Sequence, residues 1–233
     1  MSTPSAQPRP SLSTPQTLAA TPHPRGLRIA GAAGVLAVIA VVASFMVLPS
    51  DSGGQDPTAI AARYANGSTG YLRATVLQAL SIALLCVFLA GLCTAIWHRA
   101  QAVSAAAAAV GGTLLLSCEL IGYGLIATLA LGTAASRDAS TVIALYDLSA
   151  VVFVVANVGL AVLCGATGTA LMLRGPTMLA GASIVMTILA LLGVGTLTQS
   201  GIAGIHGDLG FALFVLQLLW IAAISGWLLR SRR

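Results

Sequence analysis

Glu119 is the residue of this chain whose position most strongly suggests a chemistry. It lies far from either end of an apolar run that extends from Ala102 to Thr133, so a helix centred on this run buries the carboxyl group at membrane depth. An ionised acid at that depth costs about 2.5 to 3.5 kcal/mol, which favours a protonated or paired acid. Two interpretations stay open: a proton or cation site, or a protonated acid that hydrogen-bonds across helices as a packing contact.

Two further polar residues extend this hypothesis. Tyr123 follows Glu119 by four positions and therefore shares its helical face. Asp147 directly precedes the apolar run from Leu148 to Ala170, which is long enough to cross a membrane alone, so we expect Asp147 to cap the outer end of that helix. The alternative is a helix that begins near Thr141, in which case Glu119, Tyr123 and Asp147 line one polar track.

Amides and hydroxyls within the apolar runs are predicted to be mainly structural. Such groups usually bridge neighbouring helices, and here they are Gln78, Ser81, Asn157 and Gln217. Asn157 and Gln217 also belong to any polar cavity that contains Glu119. The candidate intramembrane site therefore comprises Glu119, Tyr123, Asp147, Asn157 and Gln217.

We predict no metal site, no other cofactor and no catalytic residues. The chain has no lysine, which excludes Schiff-base chemistry. Its four cysteines form no C-x-x-C pair, and His98 and His206 fall at opposite ends of predicted helices, too far apart to share a metal. Because no nucleophile and base are recognisable together, an enzyme is the less favoured class.

Composition identifies the elements that must position these residues. Hydrophobic residues make up 58% of the chain and charged residues 7%, far below the roughly 25% charged residues of soluble domains. A membrane crossing needs about 20 residues. We predict an all-α bundle of six transmembrane helices within residues 27–230, with spans at about 29–48, 74–97, 107–131, 148–172, 178–198 and 209–229.

The arginines predict the orientation. With the N-terminus inside, the inner side carries Arg9, Arg25, Arg28, Arg99, Arg174, Arg230, Arg232 and Arg233, and the outer side carries Arg63, Arg73 and Arg137. This bias predicts a plasma-membrane protein with both termini cytoplasmic. Because the arginines are scattered between apolar runs, we expect the lipid bilayer and not a nucleic acid as the partner. The protein partner that the sequence allows is a second copy of the chain or another membrane subunit.

Three segments outside the spans have their own character. Residues 1–26 hold six of the nine prolines and predict a disordered cytoplasmic tail, and residues 231–233 form a basic cytoplasmic end. In the first outer loop, Asp56-Pro57 starts and Asn66-Gly67 stops a short predicted helix over Thr58 to Ala65.

A basic tail, a first span and the outer segment Asp56 to Ala65, which leads through Tyr71-Leu72-Arg73 into a second span, together resemble uncharacterised multipass membrane proteins of high-GC actinobacteria. The resemblance is most specific over about residues 26 to 100. It implies a source and a helix count. It implies no activity and no site residues, because families of this type have no established activity.

Three functions are consistent with these observations. A non-enzymatic membrane protein, structural or a subunit of an assembly, is favoured because its few polar residues are mostly explained by packing. The alternative is a proton- or cation-coupled small-molecule transporter that uses Glu119. A membrane enzyme acting on lipid comes third.

Overall fold

The structure is a computed structural model that describes residues 24–49, 57–98, 101–133, 139–198 and 208–230. These residues form helices and short turns, with no strand among them. Six of the helices are long and apolar enough to cross a membrane, which confirms the predicted all-α six-helix class. The predicted tail lies outside these ranges except for residues 24–26, which begin the first helix, and the basic end at 231–233 also lies outside them.

The described residues form seven α-helices, in chain order: α1 Pro24–Val47, α2 Pro57–Asn66, α3 Ser68–Trp97, α4 Ala102–Thr128, α5 Ala139–Arg174, α6 Thr177–Val194 and α7 Asp208–Arg230. A π-helical turn, Leu129–Thr133, extends α4, and a 3₁₀ turn, Gly195–Thr198, extends α6. Between α5 and α6 the extended Pro176 ends one helix and precedes the next, because proline cannot donate the hydrogen bond that would continue α5.

The six long helices form a closed ring in chain order. Each packs on the next, from α1 to α3, α4, α5, α6 and α7, and α7 returns to pack on α1. The short helix α2 contacts α3, α5 and the π-helical turn, so it lies at one end of the ring. This confirms the helix predicted in the first loop, including its stop at Asn66-Gly67, where Gly67 forms the turn into α3.

The two ends of the ring are packed differently. At the end away from α2, fully buried apolar side chains fill the interior, the largest being Leu92, Ile96, Leu160, Leu171, Ile224 and Leu228. At the α2 end a smaller cluster joins Ile60 and Tyr64 of α2 to Leu129, Ala130 and Val142. We call these the packed end and the α2 end.

The prediction that Asp147 caps a helix is wrong. Helix α5 begins at Ala139, so Asp147 lies more than two turns inside it. The two additional turns form because their apolar side chains have a surface to bury against: Val142 is fully buried in the cluster with α2 and the π-helical turn. Local capping preferences did not account for this tertiary contact.

Candidate functional site

A cavity of about 430 Å³ lies inside the ring at the α2 end. Residues of α1, α2, α3, α4, α5 and α7 line it, together with Leu48 just after α1. They extend from Tyr64 and Gly210 near the helix ends to Leu115 and Glu119 in the middle of α4. Beyond Glu119 the apolar residues of the packed end fill the ring. The cavity is therefore enclosed on the side of the packed end and extends toward α2.

Aromatic residues are concentrated around this cavity. The chain has four tyrosines and five phenylalanines, and all but Phe88 line the cavity: Phe45, Tyr64, Tyr71, Tyr123, Tyr146, Phe153, Phe211 and Phe214. Several of the rings contact one another. Tyr64 and Tyr71 have centroids 4.5 Å apart, Tyr123 and Phe153 5.0 Å, and Phe45 and Phe214 5.6 Å. Six different helices contribute these rings, so the fold assembles an aromatic wall from residues that are distant in sequence.

Glu119 lies at the inner limit of the cavity and is the only glutamate of the chain. Gln217 of α7 donates a hydrogen bond from its Nε2 to Glu119 Oε1 at 3.3 Å. This distance exceeds the 2.7 to 3.2 Å typical of N–H···O bonds, and a carboxyl group can accept several bonds. The Glu119 carboxyl therefore keeps acceptor capacity beyond the bond to Gln217.

Two other polar pairs hold helices together. Gln78 Nε2 of α3 donates to Ser44 Oγ of α1 at 2.6 Å, and Ser81 Oγ of α3 donates to the Ala37 carbonyl oxygen of α1 at 3.2 Å. All four residues are buried. The prediction that Gln78 and Ser81 bridge helices is confirmed.

Four of the five candidate site residues line the same cavity: Glu119, Tyr123, Asn157 and Gln217. The Asn157 side chain also packs against α6, because a Cβ built on Gly193 would lie 3.2 Å from its Nδ2. Asp147 differs from these four. It is exposed, and the cavity is lined by its neighbours Tyr146 and Ser149 instead. The polar track that the sequence offered as an alternative therefore does not include Asp147.

The cavity residues that the sequence reasoning missed are the aromatic ones. No local spacing links Phe45, Tyr71, Phe153 and Phe211, which belong to four helices. A signal was nevertheless available. Phe45, Phe153 and Phe211 lie in the half of their predicted spans that is nearer the predicted outer side, and Tyr71 lies just beyond the outer end of its predicted span. Comparing the depth of every phenylalanine and tyrosine across the spans would have placed them at one end of the bundle.

Within the described ranges no group of three or more His, Cys, Asp or Glu side chains is placed to hold a metal ion. Comparison with protein-family models, with curated proteins and with solved structures found no match to this chain. Its function is therefore inferred from the cavity and the residues that line it.

Proposed function

We propose that this chain is a membrane transporter for a small molecule, that the cavity is its binding site, and that Glu119 is the acid that exchanges a proton or a cation during transport. The observation that carries the proposal is the convergence of the only glutamate and eight aromatic rings on one cavity inside a ring of apolar helices. A volume of about 430 Å³ falls within the 300 to 1,000 Å³ typical of small-molecule sites.

The surroundings of Glu119 support the exchange role. Acids within membrane helices commonly mark ion and proton paths, and they face the interior of the bundle or a cavity, where they pair with another group. Here the pairing is a single 3.3 Å bond from an amide. The other titratable groups that line the cavity are Tyr64, Tyr71, Tyr123 and Tyr146, and no arginine or histidine of the described ranges lines it. Glu119 is thus the one carboxyl group of the lining, and a carboxyl group loses a proton far more readily than a tyrosine phenol, whose ordinary pKa is about 10.

The packing of the ring supports a one-sided resting state. Leu92, Leu160, Ile224 and Leu228 are fully buried beyond Glu119, so a molecule in the cavity cannot leave through the packed end in this conformation. Transport then requires the packed end to open while the α2 end closes, as in alternating access. The described conformation is closed at the packed end, and its cavity extends from Glu119 toward α2.

We further propose a plasma-membrane location with both termini cytoplasmic and the α2 end outside, in a protein of a high-GC actinobacterium. The bias of the arginines toward one side and the absence of lysine support this proposal. Fusions of alkaline phosphatase and of green fluorescent protein to the C-terminus provide the test. A fluorescent and phosphatase-inactive C-terminus is expected, and the reverse pattern would contradict the orientation.

Reconstituted proteoliposomes that contain a pH-sensitive dye test the transport function. An imposed pH gradient is expected to drive proton flux when one member of a panel of small cations, anions and neutral molecules is added. Glu119→Gln, which keeps the side-chain shape and removes the acid, should abolish that flux. Absence of flux in the parent protein with every compound, or an unchanged flux in the variant, would refute the proposal.

A structural role, or a role as a subunit of a membrane assembly, has an observation of its own. The Gln78–Ser44 pair and the bond from Trp220 Nε1 to Ser183 Oγ at 2.9 Å show that the ring uses polar groups to join helices, as Glu119 and Gln217 also do. Native mass spectrometry of the purified protein separates the two functions. A fixed complex of several subunits without bound small molecules favours the structural role.

A further inference from the structure

We infer that the ligand of this cavity is a small organic monocation with an apolar body, held by the Glu119 carboxylate and by the faces of the surrounding aromatic rings. The inference rests on the proposed function, because it names the chemical class of the molecule that the cavity binds. Three properties of the lining lead to it: its charge, its aromatic surfaces and the apolar character of the part nearer the helix ends.

The charge of the lining excludes an anionic ligand. Glu119 is the only residue of the lining with a formal charge at neutral pH when ionised, and no arginine or histidine of the described ranges lines the cavity. An anion would therefore meet a carboxylate without a compensating cation. A cation instead pairs with a carboxylate whose one hydrogen bond, from Gln217, is long and leaves acceptor capacity unused.

The aromatic rings provide the second binding element for a cation. A positive charge within about 6 Å of a ring centroid is attracted to the negative face of the ring. Tyr123 lies one helical turn from Glu119 on the same face, and Phe153 packs on it with an interplanar angle of 65°. The edge-to-face pair of Tyr123 and Phe153 lines the same cavity as the Glu119 carboxyl group, and we place the cationic centre between them.

The rest of the cavity suits an apolar body. On the α1–α7 side, Phe45 contacts Phe211 and Phe214 at centroid distances of 6.2 and 5.6 Å. These rings lie in the part of the cavity nearer the helix ends, whereas Glu119 lies at its inner limit. A molecule with an ammonium group at one end and an aromatic or aliphatic body at the other therefore matches the polarity of the cavity from its inner limit outward.

Binding of radiolabelled 2-phenylethylamine to the purified full-length protein in detergent micelles tests this inference, with equilibrium dialysis as the measurement. This probe is cationic at neutral pH and carries one ring. Its neutral analogue 2-phenylethanol and the anion phenylacetate are the competitors. We expect saturable binding of the amine. 2-Phenylethanol should compete at least roughly tenfold more weakly than the unlabelled amine, and phenylacetate should not compete.

Four variants assign the binding to the proposed groups. Glu119→Gln should weaken binding of the amine by roughly tenfold or more, because it removes the charge and keeps the shape. Asp147→Asn is the matched control: it removes an acid at the same end of the ring that lies outside the lining, and binding should be unchanged. Tyr123→Phe should retain binding and Tyr123→Leu should weaken it. Gel filtration and circular dichroism confirm that each variant is folded.

Two outcomes overturn the inference. If 2-phenylethanol competes as well as the unlabelled amine, or if Glu119→Gln binds the amine as the parent does, the cavity does not select a cation. If no probe binds, the ligand class is wrong. The proposed function is tested separately by flux in proteoliposomes. Flux of a neutral molecule would support the transport function and contradict the cationic ligand. Binding of a cation without flux would support the cationic ligand and contradict the transport function.

Discussion

Gln217 on α7 and Glu119 on α4 join helices that are not neighbours in the ring, through a hydrogen bond of 3.3 Å across its interior. The bond marks the boundary between the cavity and the packed end, since Leu115 and Glu119 limit the cavity on that side. A residue pair in this position contributes both to stability and to the shape of the site. The two contributions can be separated by mutation.

The Gln217→Leu variant should lower the free energy of unfolding by about 1 kcal/mol, because it leaves a carboxyl group inside the ring without its hydrogen-bond donor. Adding Glu119→Leu should restore most of this loss, because replacing both partners by apolar groups removes the unsatisfied acceptor. Unfolding by sodium dodecyl sulfate titration in mixed micelles measures both changes. Glu119→Leu alone completes the comparison, and a double variant whose loss equals the sum of the two single losses would show that the pair is not coupled.

Helices α4 and α5 approach each other closely at Gly111 and Gly159, where backbone faces backbone. A Cβ on Gly111 would lie 2.6 Å from the Leu163 backbone nitrogen, and one on Gly159 would lie 2.5 Å from the Leu115 backbone nitrogen. Backbone atoms cannot move aside as side-chain ends can. Each glycine-to-alanine substitution should therefore lower the free energy of unfolding by about 1 to 3 kcal/mol.

Gly165→Ala on α5 is the matched control for these two substitutions. Its nearest neighbour would be Thr187 Oγ1 at 3.5 Å, an ordinary contact. Because alanine is the better helix former by about 0.5 to 1 kcal/mol, stability should stay the same or rise. The same detergent titration is the measurement. A loss at Gly165 as large as the loss at Gly111 would contradict the packing explanation.

The features that could be predicted from the sequence are those that depend on one segment at a time. Length and hydropathy identify a crossing helix without reference to its neighbours, and Asp56-Pro57 and Asn66-Gly67 mark a short helix through local backbone preferences. The depth of Glu119 in the membrane follows from the number of residues between it and each end of its apolar run. Asp147 shows the limit of this approach, because its helix is extended by the contact of Val142 with α2.

The features that could not be predicted depend on which side of each helix faces the interior. In a soluble bundle the polar side of a helix identifies its exposed face, but here the lipid-facing side is as apolar as the interior. Leu120 is exposed on the outside of the ring, whereas Leu115 and Leu116 on the same helix are buried. Hydropathy therefore does not show that Phe45, Phe153 and Phe211 point to a common cavity, nor that Gly111 meets Gly159.

Two fully buried serines should respond oppositely to substitution by alanine. Ser225 Oγ has no hydrogen-bond partner among the described residues, so Ser225→Ala should raise the free energy of unfolding by about 1 kcal/mol. Ser183 Oγ accepts a bond from Trp220 Nε1 at 2.9 Å and donates one to the Leu179 carbonyl oxygen at 2.8 Å. Ser183→Ala should therefore lower the free energy of unfolding by about 1 to 2 kcal/mol. Detergent titration compares the two, and equal losses would contradict the assignment of Ser225 as unsatisfied.

The ring of Phe153 packs directly over Gly122, and this contact sets one wall of the cavity. A Cβ on Gly122 would lie 2.7 Å from Phe153 Cζ, so Gly122→Ala must displace the ring from its edge-to-face contact with Tyr123. Because the ring is the far end of a flexible side chain, the substitution should alter stability little. It should weaken 2-phenylethylamine binding by about 3- to 10-fold, equivalent to about 0.7 to 1.4 kcal/mol.

Gly124→Ala is the control on the same helix, because a Cβ there meets nothing within 4 Å. Equilibrium dialysis compares the variants, and equal affinities in the two would show that the Phe153 wall does not contribute to binding.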